Sequence, residues 1–117
     1  MDYMRDPMPS TVMRRTMAGL FMVGIPGPTL DHQTRDFLDA YPVGGVILFK
    51  RNVQTARQLR TLVAAIHETG AGVRPLVGID HEGGRVHRLG TPFTHFPAGA
   101  AVGASGDVRL AEAVGRA

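Results

Sequence analysis

The segment from Pro75 to Arg88 has the sequence PLVGIDHEGGRVHR, and it decides how the chain is interpreted. Its first five residues, Pro75–Ile79, form an apolar run that predicts a buried strand. Two carboxylates, two histidines and two arginines then gather around Gly83 and Gly84. A turn that only reverses the chain does not need so much charge. Because α/β folds place their chemistry where strands end and loops begin, the segment predicts a functional loop.

The rest of the chain alternates between apolar runs and amphipathic segments. Strands are predicted over residues 19–25, 44–49 and 74–79, and helices over residues 31–40, 54–69 and 107–117. The stretch after Arg88 contains Pro92, Pro97 and several glycines, and it is predicted to be irregular. Strands that alternate with helices predict parallel β-α-β units. Apolar strands cannot cover themselves, so the chain is either a small three-layer α/β domain or the opening part of a larger sheet or barrel.

The helical segments have recognisable buried faces. In the predicted helix over residues 54–69, the apolar residues recur at helical spacing: Leu59, Leu62, Val63 and Ile66. The predicted helix over residues 31–40 is expected to bury Leu30, Phe37 and Leu38. Asp31 or Thr29 is the expected cap at its start. Phe49, in the second strand, is also assigned to the core.

Composition excludes several classes of protein. A chain of 117 residues has room for one domain at most. It has no cysteine, which rules out disulfides, thiolate metal sites and a cysteine nucleophile and fits a reducing compartment. The net charge of +3 comes from charges scattered along the chain, without a basic patch. Nucleic-acid binding is therefore not expected.

The N-terminal region raises the question of export. Arg14 and Arg15 precede an apolar run, which superficially resembles a twin-arginine export signal. The run is followed by Pro26-Gly27-Pro28 and not by a small-residue cleavage site, so it is interpreted as a first strand that ends in a turn. No apolar run approaches the length of a membrane span, and no membrane partner is expected. These features predict a cytoplasmic protein.

Four segments, taken in order, resemble the family 3 glycoside hydrolases. The charged loop and the strand before it resemble the family's D-x-E-G-G-R-V-x-R segment, in the form found in the bacterial β-N-acetylhexosaminidases. That branch trims N-acetylglucosamine from peptidoglycan fragments. The other matches are to the first strand, to the second strand with its F-x-R-N exit, and to the segment after the charged loop: Leu20–Gly24, Val43–Asn52 and Thr91–Pro97. The resemblance runs from about Met17 to the end of the sequence.

The resemblance implies a fold and an activity. The family's catalytic domain is a TIM-type (β/α)8 barrel of roughly 250 residues, so this chain is expected to carry about three β/α units of it. Residues 1–16 are then a flexible leader, and residues 17–117 are a partial barrel domain that is truncated at its C-terminus. The implied reaction is the release of terminal β-linked N-acetylglucosamine by a retaining mechanism that uses no cofactor. The substrate is expected to be an N-acetylglucosaminide or another β-glycoside, and the choice among N-acetylglucosamine, glucose and xylose stays open, as does phosphorolysis in place of hydrolysis.

The resemblance also implies roles for individual residues. Asp80 and Arg88 match positions that bind substrate, since a carboxylate accepts hydrogen bonds from two adjacent sugar hydroxyls and a guanidinium donates to sugar oxygens. Other residues are expected to shape loops at the same edge: Arg51, Asn52, Glu82, Gly83, Gly84 and Arg85. No catalytic residue is expected, because neither the family's aspartate nucleophile segment nor its histidine loop is found in the sequence. The 117-residue chain is therefore expected to be inactive.

More than one role is possible for the carboxylates of the charged loop. Glu82 is a candidate general acid, but it lies two residues from Asp80 on one segment, and glycosidase carboxylates must flank the bond that they cleave. A structural role, with Glu82 paired to Arg85 or closing the loop, is preferred. Residues 80–82 do not predict a metal site, since adjacent side chains on an extended segment diverge.

The remaining loop residues have less defined expectations. Positive φ angles are expected at Gly83 and Gly84, with close approach of the backbone to a ligand. His81 stands where the family segment usually has glutamine, so its role is open. His87 is expected at the surface, and His67 and His95 are expected to be packing or surface residues. The alternative function is a self-contained α/β module that binds a sugar or a phosphate without catalysis.

Overall fold

The computed structural model describes residues 10–117, in which three α-helices alternate with three strands and two further α-helices follow. The elements are α1 Thr11–Ala18, β1 Met22–Gly24, α2 His32–Ala40, β2 Gly45–Leu48, α3 Ala56–His67, β3 Leu76–Ile79, α4 Gly99–Ser105 and α5 Val108–Arg116, with a short 3-10 helix, Lys50–Asn52, after β2. Within this range, every helix falls short of what a bilayer span requires in length and apolar character.

The three strands form one parallel sheet in the order β1-β2-β3. Gly24 is level with Ile47, and Ile47 is level with Gly78, so the strands run in a common register. α2 connects β1 to β2, and α3 connects β2 to β3. The structure therefore confirms the predicted parallel β-α-β units. Because the strands are parallel, all three carboxyl ends lie at one edge of the sheet, which is where the charged loop begins.

The core is built around β2, the central strand. Val46 and Leu48 are almost completely buried in it. The other fully buried members of the cluster come from the flanking helices and loops: Ile25, Leu38, Val43, Leu62 and Ile66. β2 can be apolar at consecutive positions because both of its faces are covered. Each fully buried aliphatic side chain contributes about 1.5–3 kcal/mol relative to exposure, so this cluster dominates the stability of the sheet.

Helix α3 forms as its sequence pattern predicts. The Thr55 side chain accepts a hydrogen bond from the backbone N–H of Gln58 at 3.1 Å and so caps the helix. Leu62 and Ile66 are buried, while Leu59 and Val63 are partly buried against the core. The predicted apolar face is therefore confirmed. The chain leaves the helix through Gly70, whose φ of +79° is readily adopted only by glycine.

Helix α2 differs from its prediction at one position. Asp31 is the cap, since its Oδ1 accepts from the N–H of Thr34 at 2.7 Å. Leu38 is buried as expected, but Phe37 is 47% exposed, and its assignment to the core was wrong. Leu38 is the residue of this helix that is buried in the core. Phe37 instead lies against the ring of Tyr41, with centroids 5.3 Å apart.

Strand β3 is less buried than its apolar sequence predicts. Leu76 is 72% exposed, and Val77 to Ile79 are only partly buried. The reason is its place in the sheet. Within residues 10–117, β3 pairs with β2 along one edge, and no strand pairs with its other edge.

Two helices were not predicted. α1 covers residues 11–16 of the expected leader, and residues 1–9 of that leader lie outside the described residues. Ser10 caps α1, and the Arg15 guanidinium donates to the carbonyl of Ala71 at 3.3 Å. α4 lies within the stretch predicted to be irregular. Its glycine and alanine content gives no apolar periodicity, so the pattern did not reveal it.

Candidate functional site

The loop that follows β3 carries the charged residues of the site. Asp80 comes directly after Ile79, the last residue of β3, so its carboxylate starts from the carboxyl edge of the sheet. The exits of β1 and β2 reach the same edge through Ile25 and Phe49. In folds of this kind, side chains at the carboxyl ends of several strands converge on one ligand.

Asp80 and Arg88 lie side by side across this loop. Arg88 Nη2 donates a hydrogen bond to Asp80 Oδ2, with 3.3 Å between the nitrogen and the oxygen. The Arg88 side chain is 29% exposed and the Asp80 side chain is 36% exposed. The Nε of Arg88 is buried and has no hydrogen-bond partner among the described residues. A half-exposed ion pair at this distance contributes only about 0–1 kcal/mol. Both groups therefore keep hydrogen-bonding capacity that a polar ligand can use.

His81 holds the far end of the loop. Its Nδ1 accepts hydrogen bonds from the backbone N–H groups of Arg88 at 3.0 Å and Leu89 at 3.4 Å. Removal from water lowers the pKa of His81, and the nearby His87, His95 and Arg88 lower it further. The neutral ring is thus favoured, and neutrality is what an accepting Nδ1 requires.

The glycine pair shapes the turn in the middle of the loop. Gly83 and Gly84 have φ angles of +77° and +54°, which confirms the expected positive values. A Cβ on Gly83 would overlap the carbonyl oxygen of Pro97, and one on Gly84 would lie 2.7 Å from the Cβ of Ala98. The close approach is therefore to residues 96–98 of the same chain. Gly84 N also donates to the carbonyl of Phe96 at 3.0 Å.

Glu82 and Arg85 lie on the outer side of this turn. Both are exposed, and in the part of the chain that the structure describes, no ion pair joins them. Of the two structural roles expected for Glu82, pairing with Arg85 is thus not found, since both side chains are exposed. The turn is closed instead by backbone hydrogen bonds, from Glu82 N to Val86 O at 2.9 Å and from Val86 N to Gly83 O at 3.1 Å.

Asn52 and Arg51 join the exits of β1 and β2. Asn52 is completely buried, and its Nδ2 donates to the carbonyls of Ile25 at 3.1 Å and Gly27 at 2.8 Å. Its Oδ1 accepts from the N–H of Phe49 at 2.8 Å. Arg51 donates from Nε to Ile25 O at 3.0 Å, and its guanidinium lies over the Phe49 ring. The two residues fix the loop after β1 relative to the end of β2.

Gln58 is a further loop-holding residue that the sequence analysis missed. Its Nε2 donates to the carbonyls of Pro28 at 2.6 Å and Asn52 at 3.0 Å. In the sequence, only its place near the start of the helix that follows the second strand points to this role. Phe49 itself is half-buried beside this network and is not fully in the core.

The histidines of the loop form a small aromatic cluster. His87 is only partly exposed, because its ring lies between His81 and His95, with centroid distances of 4.2 and 4.1 Å. Phe96 packs edge-on against His81. His67 is separate and lies beside Arg74. Among residues 10–117, no group of three or more histidine, cysteine, aspartate or glutamate side chains is arranged to hold a metal ion.

A separate groove, of about 400 Å³, lies beside β1 and away from the charged loop. Its walls are almost entirely apolar and come from α1, β1, α2 and the segments next to them: Arg14, Met17, Ala18, Phe21, Val23, Phe37, Tyr41 and Val43. A sugar needs several hydrogen-bonding partners, so the polar loop after β3 is the better candidate site.

Parallel strands that neighbour one another in sequence order, with helices between them and polar side chains at the carboxyl edge, are typical of the TIM-type barrel class. The family model "Glycosyl hydrolase family 3 N terminal domain" matches residues 12–117, and the chain belongs to this family. It corresponds to the opening part of the family's barrel, which confirms the fold predicted from the resemblance.

Similar proteins have consistent names. A beta-hexosaminidase of Alkalilimnicola ehrlichii is 46% identical over 84 residues, which are 70% of this chain and 23% of the relative. One of Pseudomonas aeruginosa is 42% identical over 84 residues, 70% of this chain and 24% of the relative. The chain thus spans about a quarter of the length of these relatives.

Solved structures give the same family. NagZ from Neisseria gonorrhoeae, solved in complex with N-trifluoroacetyl-D-glucosamine, is 38% identical with a TM-score of 0.68, over 81% of this chain and 28% of that one. A family 3 beta-N-acetylglucosaminidase from Paenibacillus is 33% identical with a TM-score of 0.77, over 85% of this chain and 19% of that one.

Proposed function

We propose that this chain supplies the sugar-binding part of a β-N-acetylhexosaminidase. The reaction is hydrolysis of the glycosidic bond of terminal β-linked N-acetylglucosamine, as in the turnover of peptidoglycan fragments. The family and the names of the similar proteins support the reaction class. The glucosamine derivative bound by the similar NagZ supports the sugar.

One observation carries the proposal for the site. At the carboxyl end of β3, Asp80 and Arg88 form a partly exposed pair, and the buried Arg88 Nε has no hydrogen-bond partner within residues 10–117. In the proposed complex, the Asp80 carboxylate accepts hydrogen bonds from two neighbouring sugar hydroxyls, and the guanidinium donates to a ring or hydroxyl oxygen. Because their own contact is weak, a sugar that bridges them loses little by replacing it.

We propose that the same residues bind sugar without cleaving it. Retaining hydrolysis needs a nucleophile on one side of the scissile bond and a proton donor on the other. The carboxylates of the charged loop, Asp80 and Glu82, lie two residues apart, and Glu82 points to solvent. A polypeptide of these 117 residues is therefore expected to show affinity for N-acetylglucosamine and no turnover.

A binding titration tests the site. The 117-residue polypeptide is titrated with N-acetylglucosamine by NMR, and Asp80→Asn is compared with Glu82→Gln, the same chemical change two residues away. Loss of a charged hydrogen-bond acceptor costs about 1.5–3 kcal/mol, so Asp80→Asn should weaken binding about tenfold or more. Glu82→Gln should bind like the parent. Equal affinities for the parent and Asp80→Asn would contradict the assignment.

An activity assay tests the absence of turnover. The same polypeptide is incubated with a chromogenic aryl N-acetyl-β-glucosaminide, and release of the aryl group is followed. No release above the buffer rate is expected. Release that Asp80→Asn abolishes would show that these residues suffice for catalysis.

The alternative of a phosphate-binding module receives no support from the glycine pair. The concave side of Gly83 and Gly84 is filled by residues 96–98, so it offers no cradle for a phosphate.

We also propose a cytoplasmic location. The arginine pair and the apolar run after it belong to α1 and β1, and β1 pairs with the central strand, so the run serves the fold.

A further inference from the structure

We propose that His81 is a positioning residue, which holds Arg88 beside Asp80 through the unprotonated Nδ1 of its ring. Protonation of His81 releases this segment and makes the pair acid-sensitive. The structural part of the proposal concerns the loop alone. Its consequence for sugar binding rests on the function proposed above.

The hydrogen bonds place His81 under the backbone of Arg88. Nδ1 accepts from Arg88 N at 3.0 Å and from Leu89 N at 3.4 Å. An imidazolium has no lone pair on either nitrogen, so protonation turns this acceptor into a donor that faces two other donors. Both backbone N–H groups then lose their partner, and the segment must move away from the ring.

Arg88 depends on this backbone support more than on its own side-chain contacts. Its guanidinium makes one 3.3 Å contact with Asp80, and its buried Nε has no partner within the described residues. A single long contact does not fix a flexible side chain. His81 fixes the backbone of Arg88, and the position of this backbone determines whether the guanidinium can contact Asp80.

The surroundings of His81 favour the neutral ring. His87 and Arg88 face it from the same loop, and His95 approaches from the segment after that loop, beside the uncharged Phe96. The two carboxylates that flank His81 in the sequence are Asp80, which pairs with Arg88, and Glu82, which is exposed. Desolvation and the three basic neighbours lower the pKa of His81 from its ordinary value of about 6.5. The positioning contact is thus complete at neutral pH and is lost as the pH falls through this lowered pKa.

Two variants separate positioning from simple packing. His81→Asn places an amide oxygen on Cγ, where Nδ1 was, and keeps an acceptor that does not titrate. His81→Phe keeps a ring and removes the acceptor. Both are compared with the parent 117-residue polypeptide between pH 7.5 and pH 5, and the amide signal of Val46 in the core reports that each variant is folded.

The first readout is the hydrogen-exchange protection factor of the Arg88 and Leu89 amides, measured by NMR. In the parent, we expect protection to fall together with the titration of the His81 ring. In His81→Asn, protection should stay constant with pH, and in His81→Phe it should be low throughout. Parent protection that does not follow the His81 titration would overturn the proposal.

The second readout is the affinity for N-acetylglucosamine over the same pH range. The parent should bind about five- to tenfold more weakly once His81 is protonated, which corresponds to the loss of about one hydrogen bond's net contribution. His81→Asn should bind with little pH dependence. If the parent binds no sugar but its amides follow His81, the proposed function fails and the positioning role stands. If sugar binds and His81→Asn has the parent's pH profile, the positioning role fails.

Discussion

Strand β2 and helix α5 lie at opposite extremes of packing in the described chain. In β2, Val46 and Leu48 are no more than 2% exposed, and strands flank it on both sides. In α5 no residue is buried, and Val108 is 80% exposed. The sheet with α2 and α3 therefore holds the buried apolar area, whereas α5 depends on its own backbone and cap. Helices shorter than about 12–15 residues are marginal without tertiary packing, so the two regions should differ sharply in stability.

The largest effect should come from removing a core side chain. Leu62→Ala leaves a cavity next to β2 and should lower the free energy of unfolding by about 2–5 kcal/mol. Leu110→Ala is the matched change in α5, where Leu110 is 37% exposed. It should cost less than about 1 kcal/mol. Urea unfolding followed by circular dichroism measures both, and equal costs would mean that α5 is as well packed as the sheet.

A smaller loss should follow from Asn52→Ala. This change leaves the N–H of Phe49 and the carbonyl of Gly27 without the Asn52 amide, and unsatisfied groups of this kind cost about 1–3 kcal/mol. The carbonyl of Ile25 loses one of its two donors and keeps the hydrogen bond from Arg51 Nε. Gln33→Ala, which removes an exposed amide from α2, is the control and should change little. If urea midpoints of the two variants agree, the loop network of the strand exits does not contribute to the stability of the sheet.

Loss of a helix cap should affect only the C-terminal region. Asp107 Oδ1 accepts from Arg109 N at 2.9 Å and from Leu110 N at 3.4 Å at the start of α5. Asp107→Ala should destabilise this helix by about 0.5–2 kcal/mol. Amide exchange at Ala111 should become faster while Val46 is unchanged, and Asp107→Asn should retain most of the cap. A concerted change at both amides would contradict the separation of the two regions.

The smallest effect is expected from acid at the cap of α2. Hydrogen bonds from the backbone and side chain of Thr34 lower the pKa of Asp31 from its ordinary value of 3.8. A carboxyl group whose pKa is lowered by folding stabilises the fold at any pH above its pKa in the unfolded chain. This stabilisation is lost as the pH falls through its pKa in the folded chain. The urea midpoint of the parent should therefore fall below about pH 4 more steeply than that of Asp31→Asn, whose cap does not titrate. Parallel curves would exclude this contribution.

The sequence pattern was sufficient to predict an element and its buried face wherever the apolar residues of that element are also the residues that the structure buries. The face of α3 and the parallel strands follow from apolar spacing, because each of these elements packs against the centre of the sheet. Phe37 was misassigned, since the pattern marks a broad apolar side and the sheet accepts only part of it. The half-exposed β3 was also missed, because a sequence does not reveal which edge of a strand has a neighbour.

The candidate site could be located from the sequence but not resolved into contacts. The strand-then-charge pattern placed Asp80 at a carboxyl end. The bonds from Arg88 and Leu89 to His81 join residues seven and eight positions apart, and no propensity encodes them. The exposure of Glu82 and the partial burial of His87 between His81 and His95 likewise depend on how the loop folds.

The loop from Asp80 to Arg88 is closed by bonds among its own residues. Its ends meet at the Asp80–Arg88 contact, and its middle is a backbone turn from Glu82 to Val86. Outside the loop, residues 95–98 pack on its glycine pair and its histidines, so the loop and this stretch together form one unit. Neighbouring loops of a barrel can therefore lengthen or diverge in evolution and alter what surrounds a bound sugar, while this unit keeps its conformation.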